Sequence, residues 1–187
     1  MTELRIKNMV CDRCLRTAQR LLESLGFTVG SVELGRVTVL NWPESVSRKT
    51  VDMALQTEGF ALVDDPKQAI VEQVKSLLVN EVHYEAGRPA HQNVSDYLSQ
   101  KLGYDYTYLS HLFSSLEGTT IERYLIAQKV ERAKEQLQLG EQSIADIAFN
   151  LGYSSVPHFA NQFRNVVGQT PGQFRKNPVG RQTLDGV

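Results

Sequence analysis

The chain has 187 residues, 41% of them hydrophobic, with 20 basic and 21 acidic side chains and a formal net charge of −1. That length suits two small domains, since a domain is typically ~100 to 150 residues, and the charge balance argues against nonspecific attraction to nucleic acid. No apolar run is long enough to span a bilayer and no signal-peptide core is present, because Thr2 to Lys7 alternates polar and apolar. The expected location is therefore cytoplasmic, with no membrane partner. No glycine-rich phosphate loop and no nucleophile–base pair stands at recognisable spacing, so the chain is not expected to be an enzyme.

Residues 4–10 alternate as a half-buried strand, and residues 12–24 form a helix with Leu15, Ala18, Leu21 and Leu22 on one face. Residues 27–34 and 36–42 alternate again and meet at Gly35, the pattern of a hairpin. Ser47 can cap a helix carrying Val51, Ala54 and Leu55, which Gly59 ends before a short strand over 60–63. The order βαββαβ predicts a ferredoxin-like α+β domain over residues 1–65. Its two cysteines, Cys11 and Cys14, are the only ones in the chain and cannot form a disulfide framework of the secreted kind; a reducing cytosol would keep them as thiols.

Asp64-Asp65-Pro66 marks a boundary, and residues 66–90 read as a connecting helix. From Lys67 to Tyr84, Ile70, Val71, Val74, Leu77, Leu78 and Val82 recur at helical spacing, too apolar for a solvated linker. This helix either covers one of the domains or supplies a homodimer surface; Gly87-Arg88-Pro89 ends it. His83 and His91 lie too far along the chain to ligate with the cysteines and read as surface residues.

An all-α tandem helix-turn-helix domain is expected over 91–177. Val94, Leu98 and Leu102 form one stripe, Gly103 turns the chain, and Tyr108 to Phe113 begins a second helix ending at Glu117-Gly118. A long helix follows from Thr120 to Leu139. Ser143 can cap a short helix with Ile144, Ile147, Ala148 and Leu151 on its apolar face; Gly152 breaks it, and Ser154-Ser155-Val156-Pro157 opens another with Phe159 and Phe163 inward. Phe113, Phe159, Phe163 and Phe174 are expected in the core, and the tail 178–187 is expected to fray.

Ile147-Ala148, Gly152-Tyr153, Phe159, Phe163-Arg164, Gly168, Thr170-Pro171 and Phe174-Arg175 resemble, in type and spacing, the second helix-turn-helix of the AraC/XylS family of bacterial transcription regulators. Residues 94–118 resemble its first, and Tyr124, Lys129, Arg132-Ala133 and Leu137 its connecting helix. The resemblance implies double-stranded DNA as partner, with recognition helices entering successive major-groove segments about 34 Å apart. It implies base contacts from Thr107, Ser110 and His111 in the first motif, and from Val156, Pro157, Ala160 and Asn161 in the second. The Asn161 amide suits adenine, Val156 and Ala160 suit a thymine methyl, and Arg164 suits a phosphate. Ser114-Ser115 stand where the family frequently has a basic pair. Acidic and basic residues also balance beyond residue 91, so weak binding to random DNA is expected.

Met9-Val10-Cys11-Asp12-Arg13-Cys14 resembles the Met-x-Cys-x-x-Cys motif of heavy-metal-associated domains, the modules of copper chaperones and transport ATPases. It implies Cu(I) or another soft ion held by Cys11 and Cys14, with the helix end lowering the thiol pKa. Asn8 stands where that family has glycine. Two soft ligands fall short of the four that zinc favours, unless a dimer completes the set. A dithiol redox switch, or a ligand-binding or dimer-forming module with idle cysteines, are the other readings of this half. The combined expectation is a sequence-specific DNA-binding transcription regulator with an N-terminal sensor or dimerisation domain. The alternative is a metallochaperone or dithiol redox protein whose C-terminal half binds a protein partner.

Overall fold

Alternation in the first strand buries Leu4 and Ile6 on one side of a four-stranded sheet, and that sheet is built from the first 62 residues. The computed structural model describes residues 1–84, 88 and 92–178. β1 (Thr2–Lys7), α1 (Asp12–Ser24), β2 (Val29–Glu33), β3 (Arg36–Val39), α2 (Arg48–Thr57) and β4 (Ala61–Leu62) follow the expected order. The strands lie side by side as β2-β3-β1-β4, every pair antiparallel, with Leu4 opposite Val37 and Ile6 opposite Leu62. One face is covered by α1 and α2, whose Ala18, Leu22, Val51 and Leu55 share a core with Phe27, Val39 and Phe60.

The strands are shorter than their alternation suggested. β1 stops at Lys7 because Asn8 takes a left-handed backbone, φ 68, which asparagine tolerates better than most side chains. The Asn8 amide then donates to the Gly59 carbonyl at 2.9 Å, fastening the turn to the end of α2. Past Val39 the chain leaves the ladder to pack Trp42 edge-on against Phe27, ring centres 5.1 Å apart. Its indole N–H donates to the Val46 carbonyl at 2.6 Å.

α3 (Pro66–Tyr84) joins the two units and packs on both. Val71, Val74, Leu78, Val79 and Val82 are buried in one core with Tyr97 and Leu98 of α4 (Val94–Leu102), Leu109 and Phe113 of α5 (Tyr106–Glu117), and Tyr124 and Leu125 of α6 (Ile121–Leu139). Its other side meets the sheet unit, where Ser76 donates its hydroxyl to the Met9 carbonyl at 3.3 Å in a buried site. Cover on two sides accounts for the breadth of the apolar surface, so α3 packs within its own chain. His83, expected at the surface, is buried instead: its Nε2 donates to Gln128 Oε1 at 3.1 Å, and Gln128 Nε2 donates to the Tyr124 hydroxyl at 3.1 Å. Gly87, Pro89 and His91, read as the end of this helix and the start of the next unit, lie outside the described residues.

The remaining helices are α7 (Ile144–Asn150), α8 (Val156–Val167) and α9 (Pro171–Lys176), the last unforeseen as a helix of its own. α6 runs between the two helix pairs, α4–α5 and α7–α8, and packs on both. Phe113, Phe159, Phe163 and Phe174 are fully buried, as their spacing required. The turns within the two pairs rest on Gly103 (φ 74) and Gly152 (φ 75), left-handed positions where a side chain would be strained.

Candidate functional site

Each helix pair presents its second helix with a fixed start and a polar outer face. Asp105 caps α5, accepting from the Thr107 N–H at 2.7 Å. The N–H and hydroxyl of Thr107 hold the Asp105 carboxyl below its ordinary value. Ser155 caps α8 by accepting from the His158 N–H at 3.3 Å, and Pro157 fits the first turn, where the missing N–H costs nothing. Ser143 with Asp146, and Thr170 with Gln173, make reciprocal capping boxes at the starts of α7 and α9. Such caps fix where each helix begins, and hence which residues stand at its leading turn.

On α5, Thr107 and His111 are exposed and Ser110 is half-buried, one turn apart on the outer face. Thr107 is turned back to its own cap. Tyr104 and Tyr108 extend this surface, both about two-fifths exposed with ring centres 5.4 Å apart. Neither was singled out by the sequence, although their four-residue spacing off the apolar stripe was the signal. On α8, Pro157, Asn161 and Arg164 are exposed, with His158 and Asn165 beside them. Among the described residues no side-chain hydrogen bond or ion pair engages Asn161 or Arg164. Val156 and Ala160 are half-buried, and Val156 packs against the core.

Behind α8, the buried Tyr153 ring lies tilted by 55° against Phe159 with centres 5.2 Å apart and sits under the Lys129 ammonium at 5.2 Å. Burial pushes the Tyr153 phenol up to about 12, and among the described residues its hydroxyl has no hydrogen-bond partner. A buried hydroxyl without a partner costs about 1 to 3 kcal/mol. Tyr153→Phe is therefore expected to leave the melting temperature unchanged or raise it by a few degrees, measured by thermal unfolding. A fall of several degrees would mean that the hydroxyl has a partner in solution.

The thiol pair sits at the start of α1. Cys11 is its N-cap residue and Cys14 lies in its first turn, both half-buried, with the sulfurs 3.3 Å apart. Burial works against the Cys11 thiolate, but hydrogen bonds from Cys14, and from the hydroxyl of Tyr84 on α3, outweigh it and bring Cys11 below its ordinary value. Burial pushes Cys14 up, and the neighbouring Cys11 adds to that. Met9, the first residue of the motif, is a fully buried core side chain and no ligand. Among the described residues no cluster of three or more His, Cys, Asp or Glu could hold a metal ion, so the site offers two sulfurs. That suits a soft two-coordinate ion and not tetrahedral zinc within one chain. Tyr84 was not expected here; Ser76, Asn80 and Tyr84, spaced by fours along α3, were its signature.

Residues 98–177 match a helix-turn-helix domain family. The described "Probable transcription factor PqrA" of Proteus vulgaris is 33% identical over 82 residues, 44% of this chain and 67% of that protein. An "Uncharacterized HTH-type transcriptional regulator" of Staphylococcus aureus is 35% identical over 78 residues, 42% of this chain. The match spans only 10% of that much longer relative. The C-terminal domain of AraT, a response regulator from Geobacillus stearothermophilus, superposes with a TM-score of 0.51 at 22% identity, covering 64% of this chain and 92% of that domain; this likeness bears on the fold alone. Among the described residues no helix is long and apolar enough to cross a membrane. With two capped helix pairs around one connecting helix, and 33% identity across 67% of PqrA, the chain belongs to the AraC-type family of helix-turn-helix DNA-binding proteins.

Proposed function

We propose that this protein is a sequence-specific transcription regulator whose N-terminal domain senses a soft metal ion, Cu(I) being the best suited, through Cys11 and Cys14. The observation that carries the DNA half is the pair of outer faces, Thr107–Ser110–His111 on α5 and Pro157–Asn161–Arg164 on α8, held by one helix, α6. A rigid connector lets two helices read one duplex in a fixed register. A ferredoxin-like reading of the N-terminal unit is supported by its strand order and by two helices on one sheet face. The transcriptional role is supported by the named activities of the relatives.

The sensing role is supported by two thiols 3.3 Å apart at a helix start, one of them lowered. An ion held there would be bound by Cys11 and Cys14 sulfur, with the α1 N-terminus favouring the thiolates. The unequal thiols also suit a dithiol switch, in which the Cys11 thiolate would attack a partner disulfide, releasing one thiol, and Cys14 would then displace the second to close the Cys11–Cys14 disulfide.

Two measurements test the proposal. Selection of bound duplexes from a random pool, followed by footprinting, is expected to give a single site with two major-groove contacts on one face. Recovery of unrelated sequences would remove the specific-binding claim. For the metal, Cys11→Ser with Cys14→Ser is expected to abolish Cu(I) uptake in competition with a chromophoric chelator, while stability changes by less than ~1 kcal/mol, since half-exposed thiols contribute little to a core. Equal affinity in both proteins would sink the metal site. A reversible disulfide without metal affinity would leave the dithiol switch.

A further inference from the structure

The two cores do not merge where the sheet unit meets the helices. Leu15 and Val32 pack against the sheet core, Leu77 and Leu102 against the helical one, and all four line a cleft of about 670 Å³. The turn of the β2–β3 hairpin closes one side of it. Gly35 takes a left-handed backbone there, φ 78, and a β-carbon on it would lie 3.8 Å from Ser76 Oγ and 4.0 Å from Gln73 Cγ of α3. The turn therefore rests on α3, next to the hydrogen bond from Ser76 to the Met9 carbonyl. Leu34, just before Gly35, also lines the cleft; it is half-buried yet belongs to neither core.

We infer that this cleft is a binding site for an uncharged, mainly apolar organic molecule held between the sheet unit and the helices. Small-molecule sites are typically concavities of about 300 to 1,000 Å³, favour interfaces between domains, and are lined by apolar side chains with a few polar groups. The charges in the lining decide the charge of the ligand. Glu33 and Arg36 of the hairpin pair with each other, and Arg36 also reaches Glu3 at 3.7 Å. That leaves Asp12 on α1 and Lys101 on α4, one of each sign, neither in an ion pair among the described residues. A ligand of either net charge gives up its hydration to meet one opposite and one like charge, so a neutral one is favoured. The Gln73 amide, half-buried and without a hydrogen-bond partner among the described residues, is placed to orient it.

Such a molecule touches both units at once. Leu15 and Leu34 belong to the sheet unit, whereas Leu102 is the last residue of α4, and Gly103 directly after it turns the chain toward α5. Occupancy therefore ties the hairpin and α1 to the end of the first helix pair, across a seam that the Gly35 turn and the Ser76 hydrogen bond otherwise hold from one side. The site uses neither thiol and none of the outer-face residues of α5 and α8.

Titration of the full chain with Nile red, a neutral dye whose emission brightens in apolar surroundings, tests this. Saturable binding of one dye per chain is expected, with slower hydrogen exchange in both 31–36 and 99–104. Leu34→Asp and Gln73→Arg bring a charge into the cleft from the hairpin and from α3, and each is expected to weaken binding by about tenfold or more. Both positions lie outside the two cores, so the melting temperature is expected to stay close to that of the wild type. Leu139→Asp, at an exposed leucine away from the cleft, is expected to leave the affinity unchanged. The negatively charged apolar dye 1-anilinonaphthalene-8-sulfonate is expected to bind about tenfold or more weakly than Nile red. Binding that does not saturate, that survives either cleft variant, or that falls equally in Leu139→Asp overturns the site. Equal affinity for the two dyes overturns the neutral ligand. Neither result touches the DNA-binding or metal readings.

Discussion

A fragment of residues 92–178 is expected to be largely unfolded at 25 °C, while a fragment of 64–178 melts cooperatively. The shorter piece holds both helix pairs and α6, and its own spacing suggests a self-sufficient core of Leu98, Leu102, Leu112, Phe113, Ile147, Phe159 and Phe163. In the folded chain that core is shared with Val71, Val74, Leu78, Val79 and Val82 of α3. Full burial of such a side chain contributes about 1.5 to 3 kcal/mol. Their sum, on the order of 10 kcal/mol before the entropy of ordering the helix, is comparable to the whole stability of a typical domain, about 5 to 15 kcal/mol. Removing α3 also removes the hydrogen bond from His83 to Gln128, a further loss of about 1 kcal/mol. Circular dichroism melts of the two fragments decide it. A cooperative transition in 92–178 within a few degrees of the longer fragment would make α3 dispensable to the bundle.

That result would also explain where sequence reading succeeded and where it did not. Element order, the caps Ser47 and Ser143, and the inward phenylalanines were legible because each depends on local spacing or on one side chain closing one turn. Asn8 was visible as a departure from a glycine position, and its left-handed φ supplies the reason: the turn needs that conformation, and asparagine can adopt it at modest cost. What periodicity could not give was the partner of a broad apolar helix. The apolar stripe of α3 says that it is covered, not by what, and its polar residues looked incidental. His83 is the clearest case: a histidine among valines has the composition of a surface position, and only the facing Gln128 on α6, 45 residues away in sequence, makes burial affordable. The same holds for Tyr84, whose influence on the Cys11 thiol arises only through tertiary packing.

Asn161→Ala and Arg164→Ala are expected to weaken binding to the selected duplex in different ways. Both side chains stand on the outer face of α8 and neither is engaged within the chain among the described residues, so each can be removed without disturbing Phe159 and Phe163 beneath. An amide can donate to and accept from one adenine edge at once, and loss of such a pair costs about 1 to 3 kcal/mol of discrimination. Asn161→Ala should therefore lower affinity about 5- to 150-fold on the preferred duplex while leaving the penalty small when that one base pair is changed. Arg164, by contrast, is expected to reach a phosphate. Its loss should weaken every sequence by a similar factor and flatten the dependence of log affinity on log salt by about 0.9, the slope carried by one phosphate contact. The DNA-binding unit has no surplus of basic residues to compensate, since acidic and basic side chains balance beyond residue 91. Anisotropy titrations of both variants against single-base variants of the duplex, at several salt concentrations, separate the two roles. If Asn161→Ala weakens all duplexes equally and reduces the salt slope, the amide holds the backbone and the base is read from elsewhere on α8, with His158 and Asn165 the next exposed positions.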